Sequence, residues 1–102
     1  MPVQNFFIRC YAKGCPHEAS HKIASRWSDG ITSELKTYSL CCAGCLPDVF
    51  RESCMRQATC RLAAGETLET PGIYHLRRGS RDRDLKRLLD IEAELQAAMT
   101  LS

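Results

Sequence analysis

Residues 40–50 read "LCCAGCLPDVF", three cysteines in five positions followed at once by a helix-like pattern. Such a group is a redox pair, half of a disulfide framework, or half of a metal site. The rest of the chain separates these readings. Seven cysteines in 102 residues is an odd number, so complete internal disulfide pairing is impossible. The start, "MPVQNFFIRC", carries no basic leader, long apolar region or small-residue cleavage site. No signal peptide is therefore expected, and the expected compartment is the cytoplasm, where thiols stay reduced. Cysteine enrichment there points to metal ligands more than to bridges.

The second half of a site lies upstream. The full pattern is Cys10-x4-Cys15, then 26 intervening residues, then Cys42-x2-Cys45. Two such pairs separated by a hairpin place four sulfurs at the corners of a tetrahedron about 2.3 Å from a zinc ion. One zinc ion per chain is expected, its ligands Cys10, Cys15, Cys42 and Cys45. Each pair is local, so gathering the ligands costs limited entropy, and the ion supplies stability that a small core lacks. Gly14 and Gly44 each precede a second cysteine, where a tight turn aims N–H groups at sulfur. Either Cys41 or Cys42 has the reach to pair with Cys45. The CxxC spacing favours Cys42 and leaves Cys41 as a small buried residue at a strand end.

His17 and His21 do not make a two-cysteine, two-histidine finger, because a single residue separates Cys15 from His17 and no helix fits between. They read as surface or hairpin residues, with His17 the alternative to Cys15. Cys54 and Cys60 are six apart on one predicted helix, about 9 Å by its rise, beyond disulfide reach. Cys54 is expected in the core and Cys60 half-exposed, neither on metal.

Around these cysteines the patterns give an α+β order. Asn5–Arg9 reads as a short strand. Residues 21–40 read as a β-hairpin turning at Asp29-Gly30. Leu46–Ala64 reads as a helix, with Pro47 in its first turn, Asp48 at its positive end and Gly65 as its cap. Leu46, Phe50, Cys54, Ala58 and Leu62 form its apolar face. Thr70-Pro71-Gly72-Ile73 predicts a type II turn between strands 66–70 and 73–77. Tyr74 and Leu76 would share one face of the second strand, Ile73 and His75 the other. Arg81–Met99 reads as an amphipathic helix capped by Ser80, with Leu85, Leu88, Ile91, Leu95, Ala98 and Met99 in its stripe and an Asp82–Lys86 ion pair. A zinc-binding unit over residues 1–76 and a C-terminal helical segment over 77–102 are expected.

A knuckle, then a hairpin, then a CxxC whose second cysteine opens a helix resembles the treble-clef zinc fingers. Cys10, Cys15, the hairpin of 21–40 and "CAGCLPDVF" carry that resemblance, over roughly residues 6–64. It implies a small zinc-stapled domain and no single function, since that family serves many roles.

Four thiolates leave no open coordination position for a water, which a catalytic zinc requires. No HExxH, phosphate-binding glycine loop or Ser/His/Asp arrangement is visible, so no enzyme is expected. "CAGC" lacks the preceding βαβ unit of a redox site, and a rubredoxin-like iron centre is a poor match. A binding or adaptor module is expected instead, with a protein partner or self-association through the C-terminal helix. The alternative is nucleic-acid binding by Arg77, Arg78, Arg81, Arg83, Lys86 and Arg87, six cations in eleven residues. Two observations oppose it. No aromatic residues interleave the cations. The formal charge of +2 also falls to about zero once four thiolates surround a divalent ion. No apolar run approaches the ~20 residues of a membrane span, and no small-molecule substrate is indicated.

Overall fold

The computed structural model describes residues 8–76 and 85–101. Its centre is an antiparallel hairpin of β1, His21–Ser28, and β2, Ser33–Cys41. Asp29 makes the turn: its Oδ1 accepts the N–H groups of Ile31 at 2.9 Å and Thr32 at 2.7 Å. Gly30 supplies the left-handed residue, at φ 94°. The hairpin therefore stands where the Asp-Gly signal put it. Its imperfect alternation also has a cause. Ile23 faces Ser39 but Ala24 faces Thr37, so Tyr38 is an extra residue, a β-bulge that inverts the apolar phase of β2 midway.

Helix α1, Leu46–Ala58, follows β2. Pro47 occupies its first turn and Asp48 faces the helix dipole, as expected. It ends earlier than the Gly65 signal indicated: the Thr59 N–H returns to Met55 O at 3.2 Å. Gly65 instead closes a separate turn at φ 86°, where the Glu66 N–H meets Ala63 O at 3.0 Å. The buried face is Leu46, Val49, Phe50 and Ser53. A strict four-residue spacing drifts about 40° per step around a 3.6-residue helix. Cys54 is thus half-buried, while Ala58 and Leu62 stand in solvent.

The predicted second hairpin is not formed. β3, Thr67–Leu68, and β4, Gly72–His75, both pair antiparallel with β1, Leu68 opposite Trp27 and Gly72 opposite Ala24. They are two pieces of one interrupted line. Pro71 has no N–H to continue the ladder, and Gly72 is absent from the residues with the positive φ that a type II turn requires. Ile73 and His75 face Ile23 and His21 on one side of β4, and Tyr74 faces Lys22 on the other.

The C-terminal helix is shorter than predicted. Lys86–Arg87 form β5, antiparallel to β4, and α2 spans Leu89–Leu101. The free edge of β4 explains this: a strand there satisfies backbone groups that a helix would leave bare, and the Leu88 N–H donates to Ile73 O at 2.7 Å. Ser80 and Asp82 lie outside the described residues, as does most of the predicted strand at 5–9, of which Arg9 bridges Glu18.

The sheet order is β2-β1-β4-β5. Ile23 and Ile73 are register partners and are fully buried, with Phe50, Leu46, Val49, Cys10 and Cys41 completing the core. Leu88, Ile91, Leu95 and Met99 pack against it, so the apolar stripe of α2 is used within the chain.

One clamp fixes α2 to the sheet. Just past β5, the Glu92 carboxylate accepts the Ile73 N–H at 2.8 Å and both Arg87 Nε at 2.9 Å and Nη2 at 3.0 Å. The guanidinium lies flat over Gly72, where a Cβ would fall 2.9 Å from Arg87 Nε. Gly72→Ala is therefore expected to push the guanidinium off Glu92 and cost about 1–3 kcal/mol, read as a lowered urea midpoint. An unchanged midpoint would show that the clamp tolerates displacement.

Candidate metal centre

Two knuckles present the sulfurs. The first is an arch over residues 8–19, held by the Ala19 N–H to Ile8 O at 2.7 Å and the Cys10 N–H to His17 O at 2.9 Å. Its tip turns where the Cys15 N–H meets Ala12 O at 3.1 Å, with Gly14 at φ 79°. The second is the CxxC turn, where the Cys45 N–H meets Cys42 O at 3.2 Å and α1 begins. Gly44 is not in the left-handed region, so the two glycines play different parts. Two backbone bonds dock the arch on the end of β2: the Tyr11 N–H to Leu40 O and the Ser20 N–H to Cys41 O, each 2.8 Å.

The docking brings Cys10, Cys15, Cys42 and Cys45 together, their sulfurs all within 4.8 Å of one another. Cys15 Sγ and Cys42 Sγ are 3.7 Å apart. A tetrahedral ion with 2.3 Å bonds to sulfur requires edges of about 3.8 Å. The four sulfurs are thus arranged to hold one metal ion. No protein-family model, no curated protein and no solved structure matches the chain.

The convergence of four sulfurs, where a disulfide or a redox pair needs two, favours an ion. Among the described residues all seven cysteines are free thiols. The Cys45 backbone N–H holds the Cys42 thiol down at about 6, while hydrogen-bond sharing with Cys42 pushes the Cys45 thiol up. A divalent cation bound there would displace the thiol protons. Cys45 is also the N-cap of α1, with no side-chain cap bond; its sulfur turns to the cluster instead.

Cys41 is fully buried in the core, and loss of water pushes its thiol up to about 12. It stands outside the cluster, so Cys42 partners Cys45. Cys41→Ser is expected to keep one ion per chain and to cost about 1–3 kcal/mol for a hydroxyl buried without a partner. Loss of metal in that variant would put Cys41 among the ligands. His17 Nδ1 lies 3.4 Å from Cys15 Sγ, on its exposed side, a partner of the sulfur rather than its replacement. Cys54 packs against the core and Cys60 is exposed.

Of the basic segment, Arg77, Arg78, Arg81 and Arg83 lie outside the described residues. Arg87 is committed to Glu92, which removes one cation from a phosphate-binding surface. Among the described residues no helix is long and apolar enough to cross a membrane.

Beside the cluster is a cleft of about 510 Å³ between the arch, β2 and α1, bordered by Tyr11, Lys13, Tyr38, Asp48, Glu52 and Arg56. Sequence reasoning missed it. Its two signals were Asp48, Glu52 and Arg56 at four-residue spacing on the solvent side of α1, and the bulge that aims Tyr38.

Proposed function

We propose that this chain is a small zinc protein of treble-clef-like build, its ion structural, and that it works as a protein-binding adaptor. The observation that carries the zinc reading is the convergence of four cysteine sulfurs, from pairs 26 residues apart, to within 4.8 Å. Four thiolates favour zinc or iron over harder cations. Full coordination by protein leaves no position for a substrate or water, and a reducing, cytoplasmic setting keeps the thiols available. The cleft supports the binding role. Tyr11 is 63% exposed on the arch, and tyrosine and arginine are the residue types that anchor protein interfaces. Because the stripe of α2 packs on its own core, the cleft is the favoured working surface.

Elemental analysis tests the first part: one zinc per colourless chain is expected, and iron or no metal rejects it. A photo-crosslinking residue at position 11 tests the second. It should trap a protein in cells, while the same group at Ile31, 93% exposed on the hairpin tip, should not. Trapped nucleic acid, or equal trapping at both positions, rejects the adaptor reading.

A further inference from the structure

Two histidines outside the cysteine cluster also stand together. His21 on β1 and His75 on β4 are direct register partners on antiparallel strands, so their side chains leave the same face of the sheet. Their rings are edge to face, with centroids 6.3 Å apart. We propose that His21 and His75 form a second metal site, a two-histidine clip for a borderline divalent cation of the Zn2+ or Ni2+ type.

Three observations carry this. The first is reach. A ring nitrogen sits about 2.0–2.1 Å from such an ion, so one ion between two rings sets their centroids at most about 6.4 Å apart. That limit belongs to a straight N–ion–N line; a tetrahedral angle draws the centroids to about 5.2 Å, and rotation of the exposed His75 side chain closes the remaining distance of about 1 Å. The backbone beneath is fixed, because the Leu76 N–H donates to Ser20 O at 2.9 Å beside the pair.

The second is orientation. Ser20 Oγ lies 2.8 Å from His21 Nδ1. With that nitrogen engaged, Nε2 is left for an ion, the arrangement by which outer partners orient ligating histidines. The third is charge state. Partial burial, and then the neighbouring His75, hold His21 below its ordinary value, so the imidazole is neutral at physiological pH, the form that ligates. Imidazole suits zinc, copper and nickel.

This clip differs in kind from the cysteine centre. Two protein ligands leave the remaining positions to water, so the ion is exchangeable and accessible to a further ligand. Lys86 is the register partner of His75 on its other side, and its positive charge opposes the cation.

The test is a Ni2+ titration of the protein as purified, by calorimetry and by NMR of the imidazole rings. One Ni2+ per chain is expected, with paramagnetic broadening at His21 and His75. His75→Ala, at an exposed position, should weaken binding at least tenfold while the melting temperature holds. Lys86→Glu should tighten it several-fold. Absence of Ni2+ binding, equal affinity in His75→Ala, or thiolate-to-nickel charge-transfer bands would each overturn the proposal.

Discussion

Cys45→Ser will leave a chain that retains no metal and whose N-terminal half, the arch and the start of α1, is unfolded. Serine is a good helix N-cap, so if Cys45 served only to begin α1 the substitution would be neutral or stabilising. The cluster predicts the reverse. Apparent binding free energies of structural zinc run to about 10–16 kcal/mol at neutral pH. A domain of this size is stable by only about 5–15 kcal/mol. Loss of one of four ligands removes a large part of that margin. The Cys42 thiolate also loses a sulfur neighbour. Metal content per chain and the melting temperature read the outcome together. A variant with a full complement of metal and an unchanged melting temperature would take Cys45 out of the ligand set.

Glu92→Ala should produce the second largest effect. Glu92 is only 8% exposed and takes three hydrogen bonds on one carboxylate, from the Ile73 N–H and from two nitrogens of Arg87. Its removal leaves a buried backbone donor and a guanidinium without acceptors. Breaking a fully buried pair costs about 3–5 kcal/mol. The Arg87 side chain is 37% exposed and water recovers part of the loss, so about 2–4 kcal/mol is expected. At about 4–8 °C per kcal/mol for a domain of this size, the melting temperature should fall by roughly 8–32 °C. The clamp also predicts coupling. Gly72→Ala in the Glu92→Ala background should cost much less than alone, because the guanidinium is then free to move. Additive losses would show that Gly72 and Glu92 act separately.

The parts of the fold legible in the sequence were those written in local chemistry. Asp29-Gly30 marked its turn because side-chain capping and a left-handed glycine are decided within four residues. The cysteine spacing marked the cluster because two close pairs of sulfur ligands on either side of a hairpin suit a single ion. The parts that were illegible depended on partners far along the chain. Pro71-Gly72 looked like a reversal, yet the glycine is needed by a guanidinium fifteen residues later. Lys86 and Arg87 looked helical, yet an open edge on β4 drew them into the sheet. The cleft and the histidine pair have the same character. Each is assembled from segments with no common pattern: docking of the arch on β2 forms the cleft, and the register of β1 against β4 pairs the histidines.

That register has a kinetic consequence. β1 is paired along both edges, to β2 on one side and to β3 and β4 on the other. Each of its amide protons faces one of these neighbours, so its exposure requires that neighbour to part from β1. Ile23 and Ala24 have register partners on both β2 and β4, and hydrogen exchange there should fall in the slowest class, whereas β5 and the outer edge of β2 exchange through local opening. Stripping the metal should then speed exchange in the arch first and reach β1 last.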